Sequence, residues 1–202
     1  MKHTFTLVEL LVSIAIIAIL AGILLPAVNG AIKKAQSAKA KAEITTLVNA
    51  IKQYESQYGG LPKSSSTVAE LVATSDYTNF IKMLQGDPQG NYADCNKRKI
   101  KFLDVVNNTP GDYPDPWDND YYIYLDVSST AAEDGDGKIG TDTSASIAAL
   151  PNAKPIYGSI VIYSFGPDGQ DWTSANKDQG KDNVFSIPVI WDKNDKQFEI
   201  TH

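Results

Sequence analysis

A carboxylate stands at the threshold of a membrane-length apolar run, and few folds can accommodate that combination. Leu10 to Val28 are 19 consecutive residues without a formal charge, and Glu9 immediately precedes them. At about 1.5 Å per residue a helix of that length reaches roughly 28 Å, close to the hydrocarbon thickness of a bilayer. It can cross once. An ionisable side chain inside the bilayer costs roughly 2.5–3.5 kcal/mol on insertion scales, so Glu9 calls for a partner, and the expected one is a cation supplied by another chain. Gly22 and Pro26 interrupt the run. Because proline lacks an N–H and crowds the preceding turn, a bend or local unwinding is expected near Gly22. A secretory signal peptide is the competing reading of Lys2 followed by an apolar stretch, but its core is usually about 7–15 residues and ends in an A-x-A site, which does not follow here.

The helical pattern continues past Val28. Ile44, Leu47, Val48, Ile51, Tyr54 and Tyr58 recur at three- and four-residue spacing, with Lys39, Lys41, Glu43, Lys52 and Glu55 on other faces. Alanine dominates Ala31 to Ala42, which favours helix and leaves a thin surface that neighbouring helices can approach. Gly59-Gly60 and Pro62 are expected to end the helix. A helix from Phe5 to Tyr58 would be on the order of 80 Å long, and only its second half can be covered by the rest of the chain.

The short basic leader, Phe5, Glu9 four residues later, the apolar helix with Pro26 and the amphipathic extension together resemble the type IV pilin superfamily, which includes the type II secretion pseudopilins. The resemblance implies an α+β, pilin-like fold: a long N-terminal helix, half transmembrane and half amphipathic, packed on a small antiparallel β-meander. It implies a leader at 1–4, a transmembrane half at 5–30, an amphipathic half at 31–58 and a globular head at 59–202. It also implies that a prepilin peptidase cuts between Thr4 and Phe5 and methylates the amino group of Phe5. Glu9 would then neutralise the terminus of an adjacent subunit during assembly. Thr4 stands where the family has glycine, so cleavage depends on a peptidase that accepts a β-branched side chain. Lys33, Lys34, Lys39 and Lys41 outnumber Lys2, so the flanking-charge rule alone points the head to the cytoplasm. The resemblance implies the opposite: an inner-membrane protein, single-pass, with its head in the periplasm.

Charge is segregated along the chain. Residues 1–58 hold 6 Lys/Arg and 3 Asp/Glu, a net of +3, whereas residues 59–202 hold 12 and 21, a net of −9. An acidic head argues against nucleic-acid binding, which needs a basic face. Cys95 is the single cysteine and cannot form an internal disulfide; as a nucleophile it lacks a base, because the two histidines are His3 and His202. The basic cluster Lys97-Arg98-Lys99 with Lys101 reads as a solvated face.

After Pro62, Val68, Leu71 and Val72, then Phe80, Ile81 and Leu84, suggest two short helices separated near Ser75, the second ending before Gly86. Strands are expected at 121–127, 159–165, 184–191 and 197–201, where β-branched and aromatic runs are bounded by Gly, Asp, Asn and Pro. With no long crossover helix between them they should form one antiparallel meander lying on the carboxyl half of the long helix.

Two segments narrow the resemblance. Asp115-Pro-Trp-Asp-Asn-Asp-Tyr-Tyr122 is similar to the Asp-Pro-Trp-Gly-Asn-Pro-Tyr segment of major type II secretion pseudopilins, with Asp118 and Asp120 in place of Gly and Pro. Trp117 also reads simply as core at a strand entry. Phe165-Gly-Pro-Asp-Gly-Gln-Asp171, followed by Asp182-Asn183, resembles the loop that binds calcium in those proteins. Calcium takes six to eight oxygens at about 2.3–2.6 Å, which suits Asp168, Asp171, Asp182 and Asn183. The plain alternative is a tight turn with exposed acids. A second acidic loop, Glu133 to Asp142, resembles half an EF-hand with Asp134 and Asp136 as ligands, but Ala132 and Thr143 occupy its first and last ligand positions. The insert from Ser128 to Pro155 exceeds a normal hairpin connection.

Three classes of function follow. The first is a structural, non-enzymatic subunit assembled into a homo-oligomeric filament with other pilin-like subunits on an inner-membrane platform, serving type II secretion; a type IV pilin for adhesion or DNA uptake is a variant of it. The second is a single-pass tethered, calcium-dependent binding module using Tyr113, Trp172 and loop acids. The third is a hydrolase using paired carboxylates from Asp112, Asp115 or Asp118, for which no nucleophile elbow, phosphate loop or histidine cluster is present.

Overall fold

A computed structural model describes residues 6–64, 76–106, 108–127, 138–139, 156–170, 182–187, 189–192 and 197–200. The apolar run and its amphipathic extension form one helix, α1, Leu7–Tyr58. Its backbone stays helical through Gly22 and Pro26, so the local unwinding expected there is not present. Gly59 ends it as expected, with φ +77° and its N–H donating to Glu55 O at 2.8 Å. No basic residue lies in the last turn. Arg98 supplies one from elsewhere: its guanidinium donates to Gln57 O at 2.9 Å and lies 5.0 Å from the centre of the Tyr58 ring. The cluster read as a solvated face therefore contains a helix cap.

Two compact units divide the chain, Met1–Ala38 and Lys39–His202. In the first, the large apolar side chains from Leu7 to Leu24, and that of Val28, are between 48% and 79% exposed. None of the described residues of the unit covers them. In the second, α1 buries Ala40, Ile44, Leu47, Ala50, Ile51 and Tyr54 in a single core with the head. The stripe read from the sequence is that face, with Val48 and Tyr58 packed at its margin.

The second of the two expected short helices is α2, Tyr77–Leu84, which buries Tyr77, Phe80, Ile81, Met83 and Leu84. Its partner at Val68 to Val72 lies outside the described residues. Asn96, fully buried, ties these elements together. Its amide nitrogen donates to Met83 O at 2.8 Å and Ile100 O at 2.7 Å, and its Oδ1 accepts from Ile100 N at 3.0 Å and Tyr58 Oη at 2.8 Å. All four hydrogen-bonding positions of one amide are satisfied.

The strands are β1 Tyr122–Leu125, β2 Lys138–Ile139, β3 Ile156–Tyr157, β4 Ile160–Ser164, β5 Val184–Phe185, β6 Val189–Asp192 and β7 Gln197–Ile200. They make three antiparallel ladders: a sheet ordered β1-β4-β5 and two separate pairs, β2-β3 and β6-β7. The α+β class holds. So does the small antiparallel meander, as β1-β4-β5, but it is shorter than expected: the run read as one strand from Val184 to Trp191 is two, β5 and β6, with Pro188 between them in the sequence, and β6 pairs with β7 instead. Proline has no N–H to give a continuous ladder. The 128–155 insert, read without strands, carries β2, and β3 follows directly after it.

Alternation gives the three-stranded sheet two buried faces. Ile123, Leu125, Ile160, Ile162 and Val184 join the core shared with α1. On the other face Tyr122 pairs with Tyr163 and Tyr163 with Phe185, with ring centroids 5.4 Å and 5.2 Å apart. At the entry to β1, Tyr121 Oη donates to Glu43 Oε2 of α1 at 2.7 Å, linking helix to sheet.

Candidate functional site

The first site is the start of α1. Thr6 precedes the helix, and Glu9 lies three residues on. Thr6 N–H and Thr6 Oγ1 donate to Glu9 Oε2 at 2.9 Å and 2.7 Å, and Glu9 N–H donates back to Thr6 Oγ1 at 3.3 Å. This is a capping box, in which a Thr and a Glu reciprocally satisfy amides at a helix start. Sequence reading missed it, although Thr-x-x-Glu before an apolar run is its signal. The capping box holds the carboxylate against the first turn. Both donors are neutral, however, so the negative charge at Glu9 is not cancelled, and no ion pair involves it among the described residues. Thr4 and Phe5 lie outside the described residues, and Pro26 lies within the helix.

The second site is a junction of two turns. Asp115 is 3% exposed and organises the first of them. Its Oδ1 accepts from Trp117 N and Asn119 N, both at 2.9 Å, while its own N–H donates to Asn119 O at 2.8 Å. Trp117 packs at the margin of the core, as expected. Asp118, at the place where the family carries glycine, adopts φ +65°. The turn is thus retained with a residue that tolerates the left-handed region less well than glycine. Burial, followed by the neighbouring carboxylates of Asp112 and Asp115, pushes the Asp120 carboxyl above the usual carboxylate range.

Asp115 Oδ2 accepts a hydrogen bond from Ser164 Oγ, at the end of β4. Ser164 Oγ in turn accepts from Gly166 N–H at 3.0 Å, which opens the second turn, Gly166–Asp168. Gly166 has φ +76°, and a Cβ there would lie 2.5 Å from Asp182 O and 3.4 Å from Asp182 Cγ. Only glycine lets this turn approach Asp182 so closely. A Cβ on Gly169 would lie 3.6 Å from Asn119 Oδ1, so the two turns touch. The two segments singled out in the sequence, 50 residues apart, therefore form one structural unit.

Of the oxygens read as cation ligands, Asp182 Oδ1 and Asn183 Oδ1 are buried. Buried acceptors of this kind fit a hard cation, whose ligands are carboxylate and amide oxygens. Asp168 is exposed, and its Oδ1 accepts from Gln170 N at 3.0 Å. Asp171, Asp134 and Asp136 lie outside the described residues. Among the described residues no three Asp, Glu, His or Cys side chains converge as a metal cluster.

The geometry weakens the other two classes. Tyr113 is buried, with 6% exposure, and cannot present itself to a ligand. Asp115, the carboxylate a hydrolase would use, is buried and holds three donors. The Cys95 thiol donates to Lys63 O at 3.1 Å, and burial pushes its pKa up, which disfavours the thiolate.

Comparison with known proteins gives three findings. Residues 5–25 match the prokaryotic N-terminal methylation motif. Residues 27–100 match the family described as type II secretion system (T2SS), protein G. Over 119 residues the chain is 33% identical to the type II secretion system core protein G of Escherichia coli (strain K12), covering 54% of this chain and 82% of that protein. No solved structure matches the chain.

Proposed function

The chain belongs to the protein G family of type II secretion, and on that premise we propose that it works as a pseudopilin, a membrane-anchored structural subunit assembled with other pilin-like subunits into a filament. The observation that carries this reading is the helix surface from Leu7 to Leu24 and at Val28, where the large apolar residues are about half to four-fifths exposed. Such a surface requires hydrocarbon or other helices around it. Lipid serves in the membrane, and packed copies of α1 serve in a filament.

In the finer reading, a prepilin peptidase cleaves between Thr4 and Phe5 and methylates Phe5. The subunit crosses the inner membrane once, with its head in the periplasm, before an inner-membrane platform assembles it. The ammonium of a neighbouring Phe5 cancels the charge of Glu9. The capping box supports this role, because it fixes the carboxylate at the start of the helix without neutralising it. The role assigned to Pro26 in assembly belongs to the same reading.

The head is further proposed to hold calcium through Asp168, Asp171, Asp182 and Asn183. The buried Oδ1 atoms of Asp182 and Asn183 support that set over Asp134 and Asp136. Calcium there would supply charge neutralisation for the turn junction.

Two measurements test the assembly reading. Intact mass and amino-terminal sequencing of the chain from its native membrane should find N-methylated Phe5; a chain still beginning at Met1 refutes processing. Glu9→Ala should leave membrane insertion intact, because it removes a costly carboxylate, and should abolish filament incorporation. Normal polymerisation of that variant would remove Glu9 from the account.

A further inference from the structure

One hydroxyl hydrogen-bonds to both turns. Ser164 is fully buried at the carboxyl end of β4, on the strand face that joins the core, and its register partner is Val184 of β5, next to Asn183. Its hydroxyl donates to Asp115 Oδ2 and accepts from Gly166 N–H, so each of its two hydrogen bonds reaches a different turn. Asp115 is held by two backbone N–H groups of its own turn, which fixes the acceptor. Gly166 lies against Asp182 with no room for a side chain between them, which fixes the other end.

We infer that Asp115 and Ser164 are positioning residues for the cation loop: they fix the Gly166–Asp168 turn against Asp182 and thereby set the spacing of its oxygens. The inference rests on the calcium reading above. Neither residue needs to touch the ion. Partners behind the ligands of a metal site commonly change affinity by about 10–100-fold when removed, because a ligand set that must be reassembled on binding gives up its preorganisation. In the absence of the Ser164 hydroxyl, Gly166 N–H and Asp115 Oδ2 each lose a buried partner. The turn is then free to drift from Asp182.

The experiment is calorimetric titration of calcium chloride into the chelator-treated full chain in detergent micelles. Wild type is compared with Ser164→Ala and with Ile162→Val, a change in the same strand that weakens the core without touching either turn. Weaker calcium binding by about 10–100-fold in Ser164→Ala, with Ile162→Val at the wild-type affinity, supports the inference. Equal affinity in Ser164→Ala and wild type, or an equal loss in Ile162→Val, overturns it while leaving the calcium reading in place. No binding by wild type overturns the calcium reading, and the positioning role with it. Should Ser164→Ala fail to fold, Asp115→Asn, which keeps the size and shape of the side chain, is read by the same criteria.

Discussion

Asn96→Ala should be among the most damaging single changes in the head, and the structure says by how much. The side chain is fully buried and makes four hydrogen bonds, to Met83 O, Ile100 O, Ile100 N and Tyr58 Oη. At about 0.5–1.5 kcal/mol net for each, the loss is about 4 kcal/mol. Two partners soften it: Met83 O keeps a bond from Gly86 N–H at 3.2 Å, and Tyr58 Oη keeps one from Arg98 N–H at 3.3 Å. Tyr58→Phe, which removes one arm, should cost about 1 kcal/mol, and should cost much less in the Asn96→Ala background, because the arm is already gone. Asn96→Asp should also destabilise, since a carboxylate would face two carbonyls that need donors. Urea unfolding of the full chain in micelles, followed by near-ultraviolet dichroism of the head tyrosines, measures the four variants against wild type. A loss below about 1 kcal/mol for Asn96→Ala, or additive effects of Asn96→Ala and Tyr58→Phe, would show that the amide is not the tie described.

The left-handed φ of Asp118 leads to the expectation that Asp118→Gly raises stability by about 0.5–1 kcal/mol in the same unfolding assay; a loss would mean that the side chain contributes more than its backbone strain costs. Because burial and then Asp112 and Asp115 raise the folded pKa of Asp120, the folded state binds the proton more tightly than the unfolded one, and stability falls as pH rises from the unfolded carboxylate value to the folded one. Asp120→Asn should therefore flatten part of the pH dependence of melting, gaining stability above that window and little below it. Identical profiles for variant and wild type would remove Asp120 as a source of strain. For calcium, chelation from a hundredfold excess over Kd should lower head stability by about 2.7 kcal/mol, read as a drop in melting temperature that added calcium restores. An unchanged melting temperature would exclude that cation.

What could be read from the sequence was what is local and periodic. The apolar run, the stripe Ile44 to Tyr58 and the stop at Gly59 follow from spacing and from glycine chemistry, and α1 and its buried face match them. α2 follows likewise from Phe80, Ile81 and Leu84. The division of Val184 to Trp191 into two strands was legible in Pro188 but was outweighed by the β-branched run around it. What no periodicity encodes is contact at a distance. Arg98 reads as one of several surface cations until it is seen to reach Gln57 O, and Asp115 reads as a strand-entry acid until Ser164 is seen to donate to it. The capping box is different: Thr6-x-x-Glu9 is local and legible in the sequence, but the same Glu9 also carries the charge that calls for an intermolecular cation.

The latch between Asp115 and Ser164 also sets a schedule. Its two halves are 49 residues apart, β1 must wait for β4 to pair, and Tyr121 meets a helix residue 78 positions earlier. A chain emerging amino end first can complete α1 early, whereas the head has no closed sheet until residues near Phe185 have appeared. Under the proposed topology, with the head exported across the membrane, this is an order of events in which the lock arrives last.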